Sequence, residues 1–110
     1  MKLPNGDKAV VDDAKLTDYC LNPTHPRGRH KARTFEAVLG VTRLHAALLR
    51  HALLVAAANA DAVEGESDEY RQRYVVDFNF AGTTGTGRIR SAWMIRTGED
   101  YPRLVTCYVL

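Results

Sequence analysis

Hydrophobic positions in the first half of the chain recur at three- and four-residue intervals, and those in the last third alternate with polar ones. The first spacing is that of a helix with one buried face, the second that of a half-buried strand. From Leu3 to Val11, a Pro-Asn-Gly turn followed by Ala9-Val10-Val11 predicts an arm or short edge strand. Asp12 or Asp13 can cap a first short helix that aligns Leu16, Tyr19 and Cys20 and stops at Asn22-Pro23. A second helix begins near Arg29, repeats Ala32, Phe35, Val38 and Leu39, and ends at Gly40. The third, capped by Thr42, presents a stripe of Leu44, Leu48, Ala52 and Val55, widened by Leu49 and Leu53.

The stretch Asp61 to Glu69 carries five acids and reads as a solvated connector. Beyond it Tyr74, Val76, Phe78 and Phe80 alternate with polar neighbours, Gly82 to Gly87 makes a turn, and Ile89, Ser91, Trp93 and Ile95 alternate with arginines. After a second turn, Thr97 to Pro102, the last strand runs from Arg103 to Leu110. Loops this short join antiparallel neighbours, since a parallel return needs a crossover of about a dozen residues or more. The pattern predicts one α+β domain over residues 1–110: three N-terminal helices packed on a C-terminal antiparallel β-meander of three strands, with an extra N-terminal edge strand as an option.

With 110 residues, 45% hydrophobic and 25% charged, the chain has room for one modest core and not for two. No apolar run approaches the roughly 20 residues of a membrane span, and the start of the chain lacks a signal-peptide core. Cys20 and Cys107 stand alone in unlike contexts, so the expectation is free thiols in a reducing, cytoplasmic setting. A net charge of +2 selects no partner; its distribution is more informative.

Arg27-Gly28-Arg29-His30-Lys31-Ala32-Arg33 gathers four permanent cations and a histidine at the start of a helix. That end already carries partial positive charge, so each added cation there costs about 0.3 to 1 kcal/mol, and a bound anion would reverse the sign. The alternative is that the long side chains splay into water, where salt weakens their repulsion. Helical spacing places His30, Arg33 and Thr34 on one face and projects Lys31 elsewhere; His30 is the candidate general base.

On the middle strand Arg88, Arg90 and Arg96 share one face and Trp93 takes the other, while Thr106 and Tyr108 share a face of the last strand that Arg103 opens. Basic strands with nearby aromatic residues hold single-stranded nucleic acid by phosphate contact and stacking; solvent-facing strands look alike. Neither His25 with His30 nor His45 with His51 has metal-ligand spacing, so no metal or cofactor is expected.

Leu3-Pro4-Asn5-Gly6, Tyr19-Cys20-Leu21-Asn22-Pro23, His25-Pro26-Arg27-Gly28-Arg29-His30-Lys31-Ala32-Arg33 and Pro102-Arg103-Leu104-Val105-Thr106-Cys107-Tyr108 together span nearly the whole chain. The combination resembles a family of small bacterial domains of unassigned function, found alone or as C-terminal modules of polymorphic toxins and phage-associated proteins. Its order of helices then meander is similar to the ribonuclease fold shared by barnase, EndoU, colicin D and RelE.

The resemblance implies a metal-independent RNA-cleaving toxin, neutralised by an acidic antitoxin or immunity protein. It gives His30 the role of base or acid, lets Lys31, Arg33 and Arg103 stabilise the phosphate, and lets Thr106 and Tyr108 position it. Arg27, Arg29, Arg90, Trp93 and Arg96 would bind the rest of the RNA. With no second histidine opposite His30, Tyr108 or Lys31 would complete the proton transfer. The rival expectation is a non-catalytic module that holds nucleic acid or an acidic protein surface.

Overall fold

The computed structural model describes all 110 residues. After a 3-10 turn at Gly6–Lys8, helix α1 starts at Asp13–Lys15 and widens into a π turn over Leu16–Cys20. Helix α2 covers Arg29–Thr34 and widens likewise over Phe35–Leu39. A 3-10 turn at Arg43–His45 leads into α3, Ala46–Asn59. Strands β1, Ala62–Ser67, β2, Arg71–Ala81, β3, Thr86–Arg96, and β4, Arg103–Val109, form one antiparallel sheet in chain order. The architecture is α+β with helices first and strands last, and no single helix is long and apolar enough to cross a membrane.

The caps follow from local chemistry. Asp12 Oδ1 accepts the Ala14 amide at 3.0 Å, and Thr42 Oγ1 accepts the Leu44 amide at 3.3 Å while His45 Nδ1 accepts the Thr42 amide in return. Gly40 ends α2 in the left-handed region, φ 64°, where a side chain would be strained.

The sheet has four strands where three were expected. The acidic stretch Asp61 to Glu69 is no connector: most of it is β1, paired with β2 through Ala62 to Val76, Val63 to Val75 and Glu64 to Tyr74. An edge strand keeps its charges in water, and only Ala62 of β1 is buried, so acidic composition and strand pairing are compatible here. At the other edge the optional N-terminal strand is a single parallel bridge. Val10 donates to the Pro102 carbonyl at 2.9 Å and accepts from the Leu104 amide at 3.0 Å.

One face of the sheet packs on the helices. Tyr74, Val76, Phe80, Ile89, Trp93, Leu104 and Cys107 meet Leu16, Phe35, Leu39, Leu49 and Leu53 in a single core. The expected α3 stripe is rotated: Leu49, Leu53, Ala56 and Ala57 face inward, whereas Leu44 is 93% exposed and Leu48 and Val55 are also exposed. Leucines and alanines surround this helix, so the side that packs is the one whose small Ala56 and Ala57 permit close approach. There the Gly6 backbone lies so near Ala57 that a Cβ would overlap its carbonyl.

The opposite face of the sheet is uncovered by helices. Register puts Arg71 opposite Arg96, Arg73 opposite Met94, Val75 opposite Ala92, Asp77 opposite Arg90 and Asn79 opposite Arg88 on this side. On β4 the pairing skips Val105, so Leu104 stays opposite Trp93 in the core while Thr106 and Tyr108 fall opposite Ala92 and Arg90. This bulge re-aims the end of β4, bringing Tyr108 to the open face.

Candidate functional site

Where α2 passes the edge of β4, an open groove of about 320 Å³ is lined by His30, Lys31, Thr34, Tyr108 and Val109. Two features of the sequence make it. The preceding loop is shaped by His25, whose Nδ1 accepts the amides of Arg27 at 3.0 Å and Gly28 at 2.9 Å, which requires that nitrogen to be unprotonated. Gly28 then lies against the Tyr19 backbone so closely that a Cβ would overlap the Tyr19 carbonyl. These contacts fix where α2 starts, and so which residues of its first turns meet β4.

Lys31 is the ordered cation of the groove. Its Nζ donates to the Tyr19 hydroxyl at 3.1 Å and sits 5.1 Å from the centre of that ring, and His25 packs edge-on against the same ring at 5.0 Å. The expected grouping of His30 with Arg33 and Thr34 is therefore corrected. His30, Lys31 and Thr34 line the groove, whereas Arg33 is exposed outside it, because adjacent residues of α2 straddle the strand edge. Arg27 and Arg29 are also exposed and line no part of the groove.

On the open face beside Tyr108, Arg90 makes a bidentate pair with Asp77, Nε to Oδ1 at 2.9 Å and Nη2 to Oδ2 at 2.8 Å. The hydrogen bond from Arg90 holds the Asp77 carboxyl below the usual carboxylate range, and Asp77 in turn raises Arg90, with Tyr108 nearby contributing in the same direction. A second depression on this face, about 500 Å³, runs between Asp61, Val63, Val75, Asp77, Arg88 and Arg90.

Arg103 is occupied by Glu99 at 2.9 and 3.0 Å and by the Tyr101 hydroxyl at 2.6 Å, and its guanidinium stacks 5.0 Å from that ring. The Arg103 hydrogen bond lowers the Glu99 carboxyl. Arg96 is exposed opposite Arg71, and the Arg71 Nε is a buried donor with no hydrogen-bond partner, its nearest carboxylate oxygen being Asp68 Oδ2 at 3.9 Å.

Trp93 does not belong to a binding surface. It is 0% exposed, and its indole N–H donates to Ser91 Oγ at 2.9 Å. Alternation assigned it to the face opposite the arginines, and that face is the core.

Thr106 stands next to the groove, with Oγ1 3.6 Å from Cys20 Sγ. Cys20 and Cys107, remote in sequence, are buried neighbours here. The nearby Cys107 thiol, helped by Thr106 and the Lys31 charge, holds the Cys20 thiol below its ordinary value. The same contact and burial push Cys107 up. Sequence reading also missed Tyr19 and His25, whose only signal is their place in the Tyr19-to-Lys31 segment.

No curated protein and no solved structure matches this chain. Residues 2–110 match the family described as a domain of unknown function, DUF6883, and the chain belongs to that family.

Proposed function

We propose that this domain is a metal-independent ribonuclease of the toxin type, which holds RNA by its phosphates and cleaves it in the groove between α2 and β4. One observation carries the reading: His30, Lys31, Thr34 and Tyr108, drawn from opposite ends of the chain, line a single groove. A base, a fixed cation and a hydroxyl donor are the groups that 2′-hydroxyl attack on a phosphodiester needs.

In this reading His30 takes the proton of the ribose 2′-hydroxyl, whose oxygen attacks phosphorus. The bond from phosphorus to the 5′ oxygen breaks, leaving a 2′,3′-cyclic phosphate, and Tyr108 returns a proton to the departing oxygen. Lys31, held by Tyr19, neutralises charge on the non-bridging oxygens. In the same reading Thr106 positions the strand near the phosphate, and Arg88, Arg96 and Arg73 guide flanking phosphates across the open face.

The second reading, a binding module without cleavage, has its own support. Arg71 and Arg96 stand directly opposite one another, a like-charge pairing that costs stability unless an anion bridges it. Either reading makes an acidic protein, such as an antitoxin or immunity partner, a competitor for the same face.

Purified protein incubated with total RNA in chelator separates the two. Discrete fragments ending in cyclic phosphate, lost in His30→Ala while that variant keeps the wild-type melting curve, support cleavage. Uncut RNA held in a tight, salt-sensitive complex supports the binding module instead. Neither cleavage nor binding overturns both.

A further inference from the structure

The loop that leads into α2 hangs on one imidazole. His25 Nδ1 accepts two successive amides, Arg27 at 3.0 Å and Gly28 at 2.9 Å, and the His25 carbonyl accepts the Arg29 amide at 3.0 Å. An asparagine side chain makes the same kind of bond to the amide two residues on, as Asn22 does to Thr24 at 3.0 Å in this loop. A histidine in that role differs from an asparagine in one respect: its acceptor disappears when the nitrogen takes up a proton.

Both attachments of the ring lead to the groove. Through the loop His25 sets where α2 begins, and with it His30 and Lys31, which line the groove. Through an edge-on contact at 5.0 Å it braces the Tyr19 ring, whose hydroxyl accepts from Lys31 Nζ at 3.1 Å. Between Leu21 and Phe35 only Gly28 and Ala32 are buried, so this segment is placed by these contacts more than by core packing.

We propose that His25 is a positioning residue of the groove, which holds His30 and Lys31 in place while Nδ1 is unprotonated and releases them when a proton binds there. The proton turns the acceptor into a donor that faces two other donors, so both amide bonds are lost together. The surroundings offer an imidazolium no counter-charge. Its own loop and the start of α2 supply the cations Arg27, Arg29 and Lys31, and α1 supplies the Tyr19 ring and Asp18, which pairs with Arg43 at 3.9 Å. None of the ion pairs in the structure includes His25. Its part in cleavage rests on the ribonuclease reading; its hold on the loop and on Tyr19 does not.

The test compares the full-length wild type with His25→Asn, which keeps an acceptor that does not titrate, and His25→Leu, which has none. In proton–nitrogen correlation spectra of the wild type taken from about pH 8 to about pH 5, the Arg27 and Gly28 amides should leave their hydrogen-bonded positions in one step, and the His30 and Lys31 amides should move with them. His25→Asn should hold all four across that range, and His25→Leu should show the released positions at about pH 8 already. In steady-state cleavage of a short RNA at about pH 8, His25→Leu should lower kcat about tenfold or more with KM changed about twofold or less, and His25→Asn should recover kcat to within about threefold of wild type. Amides of Arg27 and Gly28 that stay in place in acid, or that move as far in His25→Asn, would overturn the proposal, as would a wild-type kcat in His25→Leu. A wild-type protein that cuts no RNA overturns the cleavage reading alone, and the amide titration then decides whether His25 holds the groove together.

Discussion

Ser91 receives the indole N–H of Trp93 at 2.9 Å and passes its own hydroxyl proton to the Val76 carbonyl at 2.7 Å. It is the polar side chain that the core contains, and it exists there because Trp93 brings a donor into a region without water. Replacing Ser91 by Ala leaves that donor unpaired. The variant should lose about 1–3 kcal/mol of unfolding free energy in urea titration, more than Ser→Ala costs at an exposed strand position.

The inward face of α3 gives a second test. Leu49→Ala, at a fully buried site, should cost about 2–5 kcal/mol, and Leu44→Ala, at a site almost wholly in water, about 0.5 kcal/mol or less. Equal losses would mean that the helix is turned as the sequence stripe suggested.

Acid should destabilise the domain through Asp77 and Glu99, the two carboxylates that accept hydrogen bonds from arginines. Asp77 and Glu99 are held below their ordinary range by Arg90 and Arg103, so the folded state binds those protons less readily than the unfolded chain. Their contribution is complete above the unfolded values, near pH 4, and disappears as pH falls through the lower folded ones. Melting temperature should therefore hold level down to about pH 5 and decline below pH 4. Asp77→Asn should be less stable at neutral pH and show a shallower acid decline.

In the ribonuclease reading Lys31 and Arg33 separate sharply despite their proximity in sequence. Lys31→Gln should lower cleavage at least about tenfold, and Arg33→Gln by about twofold or less, since only Lys31 lines the groove. Tyr19→Phe removes the acceptor that fixes the ammonium and should fall between them, with its loss in kcat rather than KM. Single-turnover cleavage of a short RNA would resolve the order.

Much of this fold could be read from the chain because most elements carry a clean period. The β2–β3 and β3–β4 hairpins, the Gly40 stop and the Thr42 cap are local chemistry, and each lies where its residues indicate. Strand β1 was hidden because an edge strand buries almost nothing and so leaves no alternation to see. The turn of α3 was hidden for the opposite reason, apolar residues on every side.

The candidate site shows the same division. A crowd of basic residues at the start of α2 was plain in the sequence, but which of them meet β4 depends on the register of two elements from opposite ends of the chain. No local pattern announces the skipped Val105 that turns Tyr108 toward Arg90, or the contact between Cys20 and Thr106. Such features arise from long-range packing, and composition carries little of it.

One outer edge of the sheet is β1, bridged by the N-terminal arm only at its start, where Lys2 pairs with Asp61. Its register slips between Glu64 and Ser67, and two copies docking there would bring Glu64 and Glu66 of one against those of the other. Repulsion and the irregular ladder together oppose fibre-like growth of the sheet, so concentrated solutions should resist aggregation best at neutral pH and low salt, and worst once those glutamates are protonated.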